Sequence, residues 1–205
     1  MFRRRLAVAL LALSLVAAVA ACSDAGGGSG GNGPSETGAG RPTSGGVPIG
    51  PAPEGIEGVE AFRVDSRNHT QEHLDYDHKP PTGGDHFPVP ATCGFYGTDR
   101  PPDELVGHDL EHGAVWIAYQ PDAGEAELDA LRTLAAQQAK VMITPYDGLD
   151  SPLVLTSWGR QLPVDSLDDP RVQQFIDTYR NSPNAPEPTN ACQGIGTPEV
   201  TSPTA

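Results

Sequence analysis

Basic residues are scarce in this chain. Thirteen lysines and arginines stand against 27 aspartates and glutamates, for a formal net charge of −14. A surface of that sign lacks the basic footprint that nucleic acid requires, so no nucleic-acid partner is expected. It also gives no electrostatic grip on anionic lipid. Cysteine is rare as well: there are three in 205 residues, and none forms a C-x-x-C pair. Disulfide exchange is therefore not expected. Met142 is the one methionine after Met1, which argues against a Met-rich Cu⁺ carrier. No serine sits in a Gly-x-Ser-x-Gly elbow between a strand and a helix, and the glycine-rich stretch neither follows a strand nor opens a helix. Ser-His-Asp hydrolysis and phosphate cradling thus have no local basis. Sustained heptads and solenoid repeats are also missing.

What is present begins with Arg3, Arg4 and Arg5, followed by an apolar run from Leu6 to Ala21. That is the layout of a secretory signal spanning residues 1–21. Its end, Val19-Ala20-Ala21-Cys22, resembles the lipobox of bacterial lipoproteins. The resemblance implies cleavage before Cys22 and acylation of its thiol. The expected location is the outer face of the cell membrane, with the membrane itself as a partner through the acyl chains. Without the three arginines the chain carries 10 basic against 27 acidic residues, or −17. Residues 24–58 hold 13 glycines and 5 prolines. The stretch 22–58 therefore reads as the lipidated cysteine and a flexible tether, with a span of roughly 30–35 Å.

With Cys22 assigned to lipid, Cys93 and Cys192 remain in an oxidising compartment, where an even pair reads most simply as a disulfide. Two free thiols in a metal site are the alternative. The bridge would hold a Pro- and Thr-rich tail, 186–205, to a single globular domain over 59–185.

Within that domain Val59–Val64 alternates as a strand, and Ala114–Tyr119 is a continuous apolar run that reads as a buried strand. Asp122-Ala123-Gly124-Glu125 has capping-box spacing and opens a helix to about Ala139, with Leu128, Leu131 and Ala135 on one face. Val141–Thr144 and Leu153–Trp158, with a turn at Asp147-Gly148 between them, are expected to pair as an antiparallel hairpin. Asp169-Pro170 caps a second helix bearing Val172, Phe175, Ile176 and Tyr179. The expected class is α+β: a small mixed sheet, two helices on one face, and a long His/Pro/Gly-rich loop region ahead of them. The order resembles the back half of a thioredoxin-like domain. Trp116, Trp158, Tyr119 and Met142 read as core, and Arg160 as a structural ion-pair partner.

All six histidines, at 69, 73, 78, 86, 108 and 112, fall within 44 residues, and 114–182 has none. Neutral imidazole is a common ligand for Zn²⁺ and Cu²⁺. In His108-Asp109-Leu110-Glu111-His112-Gly113 the two histidines are four apart. On a helical turn they share a face, and in a strand they lie about 13 Å apart. Gly113 would end such a turn. Pro80-Pro81-Thr82-Gly83-Gly84-Asp85-His86 combines stiff and permissive residues, which can hold His86 in place without regular structure.

Together with Gly94-Phe95-Tyr96, Thr144-Pro145 and Ser157-Trp158-Gly159-Arg160, these two motifs resemble an uncharacterised bacterial family. Its members are lipid- or membrane-anchored extracytoplasmic proteins with a PP-[TS]-x-G-x-H … H-x-L-E-H-G signature, and they have no established activity. The resemblance covers roughly 68–183. It implies a grouping of His73, Tyr76, His86, His108, Glu111 and His112 and leaves out His69 and His78. The expected metal ligands are His73, His86, His108 and His112 around copper or zinc, with Tyr76 and Glu111 supporting them from outside. The expected role is delivery, buffering or assembly rather than turnover. Two alternatives stand beside it. The same loops could form a metal-free docking surface for a membrane complex, with the histidines as hydrogen-bonded scaffolding. Or the H-x-x-E-H pattern could serve a metal-dependent hydrolase, which would require a long helix around it.

Overall fold

The apolar run at 114–119 forms strand β4, Val115–Tyr119, in which every residue is buried. A strand buried on both faces needs cover on both faces, and its alternation shows what provides it. Val115, Ile117 and Tyr119 belong to one apolar cluster with Leu131, Ala135, Phe175, Ile176 and Tyr179. Trp116 and Ala118 belong to the other, with Leu105, Val106, Leu110, Met142 and Trp158. The first cluster is covered by helices α2, Glu125–Gln137, and α3, Pro170–Tyr179. The second is covered by helix α1, Asp103–Glu111. The computed structural model describes residues 45–203. The expected signal sequence, Cys22 and the first part of the expected tether lie outside the described residues.

The remaining strands are β1 Val47–Pro51, β2 Glu60–Arg63, β3 Gly94–Phe95, β5 Val141–Pro145, β6 Leu153–Ser157, β7 Arg160–Val164 and β8 Val200–Thr201. They form one mixed sheet in the order β1-β2-β7-β6-β4-β5-β3-β8. The α+β class and the two helices on one face hold, and α1 is added on the opposite face. Residues 64–93, the His/Pro/Gly-rich stretch, contain isolated bridges but no named strand or helix. They lie between β2 and β3.

Two local expectations are corrected. Strand β5 does not pair with β6, because β4 lies between them, parallel to β5 and antiparallel to β6. The hairpin partner of β6 is β7, joined by the turn at Ser157-Trp158-Gly159-Arg160. Trp116 to Tyr119 is more apolar than either neighbour's flanks, and burying it on both edges outweighs the short turn at Asp147-Gly148. Helix α2 begins after Gly124, with no side-chain cap bond from Asp122. Helix α3 behaves as read: Asp169 accepts from the Arg171 backbone N–H at 2.9 Å, and Pro170 opens the helix.

The ordered fold also starts earlier than the composition suggested. Strand β1, within the glycine- and proline-rich stretch, pairs antiparallel to β2. Glu54, in the following turn, takes two bonds from Arg160, at 3.1 and 2.8 Å, and one from Asn184 at 3.0 Å. At the other end, Cys93 and Cys192 stand at disulfide distance, with Cα atoms 4.7 Å apart. The tail beyond them adds β8 antiparallel to β3, and Ser202 bonds the Val141 carbonyl at 2.7 Å. Asp109 of α1 ties both cysteine segments down, accepting from the N–H of Ala91 at 2.8 Å and of Cys192 at 2.6 Å. Burial pushes its carboxyl up to about 7, against those two donors. No helix among the described residues is long and apolar enough to cross a membrane.

Glu54 supplies a pH test. Burial raises its pKa, but the bonds from Arg160 and Asn184 outweigh that and hold it at about 2. A carboxylate depressed on folding stabilises the fold above its ordinary value of 4.5 and loses that contribution as pH falls toward 2. Glu54→Gln is expected to cost about 1–2 kcal/mol at pH 7, after allowance for solvent screening. The gap from wild type in urea unfolding should narrow steadily below pH 4.5. A gap that does not change with pH would contradict this.

Candidate metal centre

The helical backbone at 103–111 settles the geometry of the H-x-x-E-H segment. His108 and Glu111 project from α1, and His112 caps it, with the His108 and His112 ring centroids 4.7 Å apart. Gly113 follows at φ +84°, the left-handed conformation that terminates helices. The next strand is thereby turned away at once.

Four groups converge beside this helix. One ligand-capable atom each of His69, His86, His108 and Glu111 lies within 4.8 Å of all the others. The three rings form a near-equilateral triangle, with centroid separations of 5.1, 5.3 and 5.2 Å. His86 is fully buried, and the Glu111 side chain is 4 % exposed. His69 is the open member, with its side chain 51 % exposed.

Each ring is aimed by the backbone. His86 Nδ1 lies 2.8 Å from the Gly84 carbonyl, and His108 Nδ1 lies 2.8 Å from the Phe87 carbonyl. A carbonyl oxygen only accepts, so both Nδ1 atoms carry the hydrogen, and Nε2 of each neutral ring presents a lone pair. This is the pattern by which proteins orient imidazole ligands. His69 is held by strand-like pairing with His86: Thr70 N–H donates to His86 O at 2.8 Å, and His86 N–H donates to Asn68 O at 3.0 Å. Asp85 anchors the same turn through Asn68 N–H at 2.7 Å and the Ser66 hydroxyl. The Tyr76 hydroxyl donates to the Asp85 carbonyl at 2.6 Å, which places it behind His86. Trp158 and His86 meet in a T-shaped contact, with ring centroids 6.2 Å apart.

The central contact is His86 Nε2 against Glu111 Oε2 at 3.1 Å, with His69 Nε2 3.9 Å from the same oxygen. With Nδ1 committed to Gly84, Nε2 of the buried ring faces a buried carboxyl oxygen, and without a second proton it does so with a lone pair. Two acceptors in contact need a cation between them, either a proton or a metal ion. His108 is suited to ligation, because burial lowers its pKa and favours the neutral ring. Three imidazoles and one carboxylate are a donor set for Zn²⁺ or Cu²⁺. Tetrahedral bonds of 2.0–2.1 Å would place the ligand atoms about 3.3–3.4 Å apart, so the group would close inward on an ion.

The convergent set differs from the one read in the sequence. His86 and His108 are in it. Glu111, expected to support the ligands from outside, points into it. His73 lies elsewhere: its side chain is 77 % exposed, with Nδ1 3.4 Å from Glu104 and the ring against Phe87. A loop turn directs it outward, whereas Glu104 turns back to take the Leu74 N–H at 2.6 Å. His112 faces a second group with Glu111 and Glu187, and its Nδ1 donates to the Glu187 carbonyl at 2.8 Å. His78 stays outside, bonded to Gln161 at 3.0 Å. His69 was missed. It has the same residue type and loop setting as its neighbours, and only backbone pairing with His86 distinguishes it. A third group, Cys93, Asp109 and Cys192, has its two sulfurs engaged with each other.

Gly107 is a residue whose role the sequence did not signal. A Cβ there would lie 3.0 Å from His86 Cβ, so the missing side chain lets His86 close onto α1. Gly→Ala in a helix interior ordinarily gains about 1 kcal/mol. Here crowding of His86 costs about 1–3 kcal/mol. Gly107→Ala is therefore expected to give no stabilisation in urea unfolding. A gain near 1 kcal/mol would show that His86 does not rest on this helix.

Comparison with known proteins adds a family and nothing functional. No curated protein matches the chain, and no solved structure matches it. A family described as protein of unknown function (DUF3105) matches residues 68–194, a span that takes in all of the converging groups. The chain belongs to this uncharacterised family, DUF3105.

Proposed function

We propose that this chain is an exported, lipid-anchored domain that binds one divalent transition metal ion, copper or zinc, through His69, His86, His108 and Glu111, for delivery, buffering or assembly. The observation that carries the metal reading is the 3.1 Å approach of His86 Nε2 to Glu111 Oε2 with Nδ1 already donated to Gly84. An ion placed between them would satisfy both lone pairs and accept His69 and His108 as further ligands. Four protein ligands would leave no open coordination position, which favours holding an ion over turning over a substrate. With Glu111 inside the ligand set and the Asp109 carboxylate held by the N–H groups of Ala91 and Cys192, the H-x-x-E-H turn has no free carboxylate to act as a base. The arginine–apolar–cysteine leader supports export and acylation at Cys22.

Elemental analysis and zinc or copper titration of the full chain test the metal reading. One ion per chain is expected. His86→Ala and Glu111→Gln should each weaken binding by about 100-fold or more, and Tyr76→Phe by about 10-fold. His73→Ala should leave affinity unchanged. If the wild type takes up no added zinc or copper, the reading falls, and the metal-free docking surface replaces it. For the anchor, cells fed labelled fatty acid should incorporate it into the wild type and not into Cys22→Ser. Equal labelling of both would remove the lipoprotein reading.

A further inference from the structure

Glu111 has two carboxylate oxygens, and the histidine triangle uses one. The other, Oε1, accepts from Arg67 Nη1 at 3.2 Å, and the same Arg67 nitrogen donates to Glu187 Oε1 at 3.1 Å. A ring nitrogen of His112 and carboxylate oxygens of Glu111 and Glu187 lie within 4.8 Å of one another. Glu187 is held there by the backbone: its N–H donates to the Glu111 carbonyl at 3.0 Å, and its carbonyl accepts from His112 Nδ1. The group sits at the C-terminal end of α1, where the helix dipole favours positive charge. Two carboxylates, an imidazole and a helix C-terminus make a cation site, and a cation already occupies it, the guanidinium of Arg67. Arg67 reaches in from an exposed loop position.

We propose that Glu111, His112 and Glu187 form a second, outer divalent-cation site that shares Glu111 with the inner one and is kept by Arg67 until an ion displaces it. The proposal rests on the metal-binding reading for the role of the shared carboxylate. A carboxylate bridging two ions about 3.5–4 Å apart is the arrangement of two-metal sites. The outer group is open to solvent through Glu187, whereas the inner one is buried at His86 and Glu111. An ion can enter at His69 or at Glu187, and one entering at Glu187 reaches the inner ligands through Glu111. The acidic surface raises the local cation concentration around that entrance. This also gives His112 a role that the inner triangle does not.

The test is a Zn²⁺ titration of the full chain against a zinc-binding dye, with the zinc content of each variant measured. The wild type should show one tight and one weak equivalent. Arg67→Gln removes the resident cation and should tighten the weak step by about 10-fold, as expected when a competing ion pair is lost. Glu187→Gln should delete the weak step and keep the tight one, and His86→Ala should do the reverse. Unfolding curves of the metal-free variants report whether each is folded. The outer site is overturned if wild type and Arg67→Gln bind a single equivalent alike, or if Glu187→Gln leaves both steps in place. A weak step that responds to Arg67→Gln and Glu187→Gln without any tight step would overturn the inner reading instead.

Discussion

A buried imidazole pressed against a buried carboxyl is the contact on which the rest of this structure depends. His86 and Glu111 meet at 3.1 Å in a place that water does not reach, and neither can be left bare there at low energetic cost. The surrounding residues serve that meeting. Gly84 and Phe87 offer carbonyls that engage Nδ1 of two rings, Tyr76 holds the backbone ahead of His86, and Gly107 clears the helix surface beneath it. A contact built this way needs positive charge between its two acceptors.

Helix α1 links that contact to the fold. Its apolar side, Leu105, Val106 and Leu110, covers the sheet face that α2 and α3 leave open. Between His108 and Glu111, Asp109 binds the main chain on both sides of the Cys93–Cys192 pair. One short helix thus closes the second core, anchors the C-terminal segment and presents two of the converging groups. The segment it anchors continues into β8, which pairs with β3 and completes that edge of the sheet. The tail is therefore part of the fold.

Wherever side chains repeat with a period, the sequence was legible. The β4 run, the apolar faces of α2 and α3, the Asp169-Pro170 start and the α+β class could all be read, because each follows from local spacing and burial. The pairing of β5 and β6 could not. Which strand enters between two others depends on the sum of packing over the whole sheet, and the turn at Asp147-Gly148 looks the same in either case. The ordering of β1 was also hidden, since a glycine- and proline-rich composition does not register the bonds that Arg160 and Asn184 make to Glu54.

By itself the sequence determined the inventory: an acidic chain, six histidines confined to one stretch, and a segment that sets His108 and His112 on one face only if it is helical. Tertiary structure decided membership. It brought in His69 through two backbone bonds with residue 86, turned Glu111 inward, sent His73 to the surface, and gave His112 to a different group with Glu187. The reason lies in the loops. Without a repeating backbone, the direction of a side chain is set by whichever distant segment the loop packs against, and adjacent residues carry no record of that.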